Sequence, residues 1–85
     1  LGLVARVAEP GGAVAAAMEL AERIAKNAPL AVAASKQIMR DTRGMTEEEA
    51  WTFQGPHSAR VFTSEDAREG PRAFAEKREP SWSGR

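Results

Sequence analysis

Three stretches of the 85-residue chain hold side chains whose types could do chemistry. Glu47, Glu48 and Glu49 are where paired catalytic carboxylates would be sought, since general acid and base work needs two titratable groups close together. Thr46 precedes them, however, with Glu49 three residues on. That is a capping box, and first-turn glutamates sit favourably on the positive end of a helix, so this run reads as a helix start facing water. His57 is the only histidine and the one side chain that titrates near neutral pH unaided. A general base needs an orienting partner, and its neighbour Ser58 points away from it on a helix. The third stretch holds Phe74 and Lys77 at i,i+3, one above the other on a helix. An aromatic face one turn from an ammonium would suit an adenine ring and a phosphate, by stacking and by charge-assisted hydrogen bonding. On spacing alone the plainer arrangement is favoured, with Phe74 packed inward and Lys77 reaching into water. Arg68, Arg72, Lys77 and Arg78 alternate with Glu65, Asp66, Glu69, Glu76 and Glu79, the usual pattern of a solvated helical face.

Composition narrows the classes further. Twelve cations balance twelve anions, which argues against a nucleic-acid or anionic-membrane binder that would need a surplus of positive charge. No cysteine is present, so there is no disulfide, thiolate nucleophile or cysteine zinc site. A single histidine excludes a multi-histidine metal site, and no apolar run reaches the ~18 residues of a membrane span. The 42% hydrophobic content is rich in alanine, which accounts for 17 residues, whereas Leu, Ile, Val and Phe total only 14. Small residues let helices approach closely but bury little area each. The expected object is a set of alanine-surfaced helices resting on something larger. The chain opens on Leu1 instead of methionine, in keeping with a core that lies elsewhere on a longer polypeptide.

The elements that must position these residues follow from periodicity. Leu1 to Ala8 alternates with a period of two, a candidate short strand. Glu9-Pro10-Gly11-Gly12 breaks the chain. From Ala13 the stripe Val14, Ala17, Met18, Ala21, Ile24 and Ala25 predicts an amphipathic helix that stops near Asn27. Pro29 suits the first position of a second helix, carrying Leu30, Ala34 and Ile38 and ended by Arg43-Gly44. A third begins at Thr46 and holds Trp51, Phe53, Val61 and Phe62, with a kink or break expected at Gly55-Pro56. Ser64 offers the cap for a fourth, which Gly70 should end. Pro71 should restart a fifth through Arg78. An extended tail, Glu79 to Arg85, is tethered by Trp82.

The stretch from Val61 to Arg85 resembles the C-terminus of the enoyl-CoA hydratase/isomerase (crotonase) superfamily. Its specific element is Ser64-x-Asp66-x-x-Glu69-Gly70-x-x-Ala73-Phe74-x-Glu76-Lys77-Arg78, followed by Pro80, Trp82 and Gly84. The opening GLVARV and the helix containing LAERIAKNAPLAV resemble the segment that precedes it in such enzymes. The resemblance implies a mainly α fold: four to five helices after a candidate N-terminal strand, forming the trimerisation lobe of a crotonase-like ββα-spiral parent. Residues 1–8 would be the end of that core, and 9–85 the helical lobe. It implies a cytoplasmic enzyme that hydrates 2-enoyl-CoA to 3-hydroxyacyl-CoA as a homo-oligomer, a trimer or dimer of trimers. Acyl-CoA would be its substrate, with no cofactor, metal, nucleic acid or membrane. Family members stabilise an enolate-like oxyanion with two backbone N–H groups, and hydratases use two glutamates. Both belong to the upstream part, and none of Glu47, Glu48, Glu49, Glu65 or Glu69 matches them, so no catalytic residue is expected here. Phe74 and Lys77 match the aromatic and the cation brought near the CoA adenine and 3′-phosphate, which reverses the reading from spacing alone. The alternative is an autonomous helical interaction or oligomerisation module without catalysis.

Overall fold

A computed structural model describes residues 1–85 as four helices with no strand: α1 (Ala13–Ala25), α2 (Pro29–Asp41), α3 (Glu47–Phe62) and α4 (Asp66–Ala75). Each start has a local cause. Gly12, folded back onto the Glu9 carbonyl at 2.8 Å, precedes α1. Pro29 opens α2, where its missing N–H would have had no partner. Thr46 opens α3 with the expected capping box: the Glu49 N–H donates to Thr46 Oγ1 at 3.2 Å, and the Thr46 N–H donates to Glu49 Oε2 at 2.7 Å. These two bonds hold the Glu49 carboxyl below its ordinary range. The acidic run is a helix start.

Three expectations are corrected. Residues 1–8 form no strand. A strand needs a neighbour to take its N–H and C=O groups, and this chain supplies none. Leu1, Leu3, Val4 and Val7 lie exposed, and the segment is pinned instead by Arg6, whose Nη1 reaches Glu19 Oε2 on α1 at 2.7 Å. Helix α3 runs through Gly55-Pro56 without a break, started by its capping box and packed against α2. Likewise α4 continues through Gly70-Pro71, so the expected fourth and fifth helices are one. Trp82 lies over Gly70, close enough that an added Cβ would meet its ring at 3.5 Å. Tertiary packing commonly overrides a local preference of this kind.

The helices spread rather than enclose. Their Cα radius of gyration is 16.1 Å, against about 12 Å for a compact chain of this length. The principal extents are 44 × 40 × 20 Å, a slab one or two helices thick. The most extensive packing is between α2 and α3, with narrower contacts joining α1 to α2 and α3 to α4. Only Ser64, Asp66 and Ala73 are buried, so a single alanine is the whole buried apolar core. The accessible surface is 7225 Å², about 2,300 Å² more than a self-contained protein of this mass would show. Large apolar side chains lie on that surface, with Val14, Met18, Met39, Trp51, Phe62 and Phe74 all exposed.

Candidate functional site

The one part of the molecule that closes on itself surrounds α4. Glu65 holds the N-cap position in place of the expected Ser64, but Ser64, one residue earlier, still reaches into the first turn, its Oγ accepting from the Ala67 N–H at 3.1 Å while donating to the Val61 carbonyl at 2.6 Å. Two residues on, Asp66 is buried, with 3% of its surface exposed. Its carboxylate accepts from the Ser83 N–H at 2.7 Å, the Ser83 hydroxyl at 3.0 Å and the Gly84 N–H at 3.0 Å. The Arg85 carbonyl in turn accepts from the Glu65 N–H at 2.6 Å and the Asp66 N–H at 3.2 Å, at the open end of the helix. The tail is therefore a strap bound across the N-terminus of α4, where unpaired N–H groups need acceptors. Trp82 ties the same strap to α1, its Nε1–H donating to the Lys26 carbonyl at 2.7 Å. The expected tether is present, and it joins the first helix to the last.

The other end of α4 is fixed by ions. Arg78 forks onto Glu69, with Nη1 to Oε1 at 2.6 Å and Nη2 to Oε2 at 3.1 Å. Its Nε also binds Glu76. Glu69 accepts a further bond from the Ser81 N–H at 2.9 Å. The Arg78 guanidinium, followed by that backbone N–H, holds the Glu69 carboxyl down at about 2, and Arg78 is raised by the same pairing. The mixed-charge run expected to be a solvated face is thus corrected at Asp66 and Glu69. Both carboxylates act as acceptors for the returning tail. Their i,i+3 spacing, which puts them on one side of α4, was the available signal. It is hidden in the sequence by the similar charges around them.

Phe74 and Lys77 stand at this same end. Phe74 is 87% exposed, so the inward-packed arrangement favoured by spacing alone does not occur. Lys77 is exposed too, and it makes no ion pair, unlike Arg6, Arg40 and Arg78. It does not stand one turn above Phe74 on a helix, because α4 ends at Ala75 and Lys77 has φ 53°, in the left-handed region. The Lys77 N–H donates to the Phe74 carbonyl at 3.2 Å and the Arg78 N–H to the Ala73 carbonyl at 3.0 Å. Together these bonds form a Schellman motif, with lysine where glycine is usual. The backbone between the two residues is this C-terminal turn, not a continuing helix.

The remaining candidates have structural roles. His57 packs on Phe53, ring centroids 4.9 Å apart and tilted 36°, and no carboxylate or hydroxyl engages it. Glu47 accepts a bond from Trp51 Nε1 at 3.3 Å within its own helix. No three histidine or carboxylate side chains converge as a metal site would require. No helix is long and apolar enough to cross a membrane. An open hollow of about 310 Å³ beside the strap is lined only by polar and charged groups, Arg68 and Arg72 among them.

A family model described as enoyl-CoA hydratase/isomerase matches residues 1–85. Among individual proteins, a carnitinyl-CoA dehydratase of Salmonella arizonae is 49% identical over 98% of this chain and 33% of its own length. The enoyl-CoA hydratase EchA19 of Mycobacterium tuberculosis is 46% identical over 100% of this chain and 32% of its own. Among solved structures, an enoyl-CoA hydratase from Mycobacterium tuberculosis H37Rv superposes with a TM-score of 0.87 at 49% identity, covering 100% of this chain and 34% of that one. The enoyl-CoA hydratase EchA1 of Mycobacterium marinum gives 0.86, with the same identity and coverage. The chain therefore spans about a third of the length of the relatives it matches.

Proposed function

Because the chain belongs to the enoyl-CoA hydratase/isomerase family, we propose that it serves a cytoplasmic enoyl-CoA hydratase as its C-terminal helical lobe, forming an assembly face and one end of the CoA pocket. The parent reaction adds water across the 2,3 double bond of a 2-enoyl-CoA, placing hydroxyl on C3 and hydrogen on C2. The groups that drive it, two glutamates and a pair of oxyanion-binding N–H groups, are assigned to the polypeptide upstream. Such donors accelerate a reaction because they meet charge that develops only in the transition state. What this lobe contributes is binding. The exposed Phe74 ring offers a face on which adenine can stack, and the unpaired Lys77 ammonium offers charge-assisted hydrogen bonds to a phosphate.

The carrying observation is the uncovered surface. A lobe with about 2,300 Å² more accessible area than a free-standing protein of its mass is built to be covered. That excess is larger than one partner's share of a standard interface, about 800 Å². It supports packing on an upstream core and on other copies of the parent, in a trimer or dimer of trimers. The same observation disfavours the autonomous module, which would enclose a core of its own, whereas here Ala73 is the only buried apolar residue.

The test compares the 85-residue chain with its full-length parent. The parent should hydrate crotonyl-CoA and the isolated lobe should not. Turnover by the lobe alone would refute the assignment of catalysis to upstream residues. In the parent, Lys77→Ala should raise KM for the CoA ester and leave kcat nearly unchanged, as expected when binding common to ground and transition states is lost. An unaltered KM would remove Lys77 from the pocket.

A further inference from the structure

Lys77 is the only residue other than glycine with positive φ. A left-handed turn is costly for a residue with a Cβ, and glycine would adopt it freely. A lysine held there needs surroundings that over-determine its backbone. The structure shows them on both sides. Arg78, the next residue, is forked onto Glu69 two turns back along α4 and also grips Glu76, the residue before Lys77. Glu69 is itself fixed by the Ser81 N–H, and Arg78 Nη1 additionally donates to the Glu79 carbonyl at 3.2 Å. The turn carrying Lys77 is thus bracketed by one guanidinium and closed by the start of the strap. If the bracket were released, Lys77 could relax to helical φ and extend α4 by a residue, moving its side chain to a different direction from the helix axis.

We infer that Glu69, acting through Arg78, is a positioning residue: it holds the left-handed turn at Lys77 and thereby fixes where the lysine cation stands relative to the Phe74 ring. This rests on the reading of Phe74 and Lys77 as the CoA contacts. It adds that the affinity for the nucleotide end of CoA depends on a carboxylate that touches no ligand. A bidentate guanidinium–carboxylate pair suits this role, since its fork fixes geometry as well as charge.

The experiment measures dissociation constants for coenzyme A and for pantetheine with the full-length parent. Their ratio reports what the whole nucleotide end contributes, the diphosphate, adenosine and 3′-phosphate together, and the Lys77→Ala reference calibrates the share carried by Lys77. A variant that merely loosens the fold weakens both and leaves the ratio in place. Lys77→Ala serves as reference and should lower the CoA preference about tenfold, the loss of one charge-assisted contact. Glu69→Gln should lower it about three- to fivefold, a partial loss of the same contact. Arg78→Lys, which keeps the charge but not the fork, should do the same, so the idea remains testable if one variant folds poorly. In a Lys77→Ala background, Glu69→Gln should change the ratio no further, because residues acting as a unit are not additive.

A normal ratio in both Glu69→Gln and Arg78→Lys, alongside a lowered ratio in Lys77→Ala, would overturn the positioning role and leave the CoA contact standing. Equal losses with and without Lys77 would overturn it as well. An unmoved ratio in Lys77→Ala would instead sink the underlying contact, and the positioning role with it.

Discussion

Along α1, Val14, Met18 and Ile24 leave 77%, 56% and 49% of their surface exposed, whereas around α4 the groups that disappear from solvent are Ser64, Asp66 and Ala73. The first region has apolar stripes with nothing upon them. The second has polar groups, each answered by a partner within the same chain: buried Asp66 by Ser83 and Gly84, Glu69 by Arg78 and Ser81. The difference separates what this lobe settles for itself from what it leaves to others. Polar satisfaction is directional and short-ranged, so a strap of a few residues can complete it. Hydrophobic burial scales with area, and four thin helices cannot supply enough of it to one another.

The largest test of this contrast places a charge on the unpartnered stripe. In the full-length parent, Val14→Glu should destabilise by about 3 kcal/mol or more if α1 is covered there, the order expected for burying an unpaired charge. Sedimentation should show loss of the assembled species. If Val14 remained in water, the same change would fall within about 0.5 kcal/mol. A normal assembly would then mean that the stripe is not an interface.

Asp66→Ala addresses the opposite region. It removes the acceptor for the Ser83 and Gly84 backbone N–H groups, donors left without a partner unless the strap detaches, whereas the Ser83 hydroxyl keeps Glu65 Oε2 at 3.2 Å. Denaturant unfolding of the parent, at fixed protomer concentration, should register a loss of about 3 kcal/mol. A change below about 1 kcal/mol would show that the strap contributes little to holding α4.

These two regions were unequally legible in the sequence. The stripes of α1 and α2 and the Thr46–Glu49 capping box were plain, because helix starts and faces are set by neighbours within four residues. The thin core was equally plain from 17 alanines against 14 Leu, Ile, Val and Phe. Pro56 and Pro71 misled, since local preference predicts breaks that packing on α2 and the Trp82 strap override. The segment 1–8 misled because alternation describes a strand's faces but says nothing about whether a neighbouring strand exists. At the candidate site, Phe74 and Lys77 were identified by resemblance. The turn that carries Lys77 depends on its own positive φ and is flanked by an ion pair between Glu69 and Arg78, nine residues apart. Neither can be read from spacing.

A smaller effect should come from acid. Glu69 is held at about 2 by Arg78, against 4.5 for an unperturbed carboxyl. A carboxyl depressed in the folded state contributes stability fully above its unfolded value, and that contribution fades as pH falls through the folded one. The stability difference between the wild-type parent and Glu69→Gln should therefore be constant above about pH 4.5 and shrink steadily toward about pH 2. Acid titration monitored by denaturant unfolding measures it. A difference that stays level across that window would mean that the Arg78–Glu69 pair is not formed in solution.

The smallest expected effect carries the opposite sign. Lys77→Gly removes the penalty of a left-handed turn at a residue with a Cβ, while giving back some entropy to the unfolded chain. The net should be a gain of about 0.5–1 kcal/mol in stability. The same substitution deletes the ammonium, so affinity for CoA should fall as thermal stability rises. That opposition distinguishes a lysine retained for its charge from one tolerated at a turn. If Lys77 served only to end α4, glycine would be the better residue by every measure, and CoA affinity would not change. If the turn were unstrained, the midpoint would not rise, and the bracket of Glu69 and Arg78 would have nothing to hold. A variant both more stable and weaker for CoA would place Lys77 among the residues kept in a strained backbone for what their side chains reach.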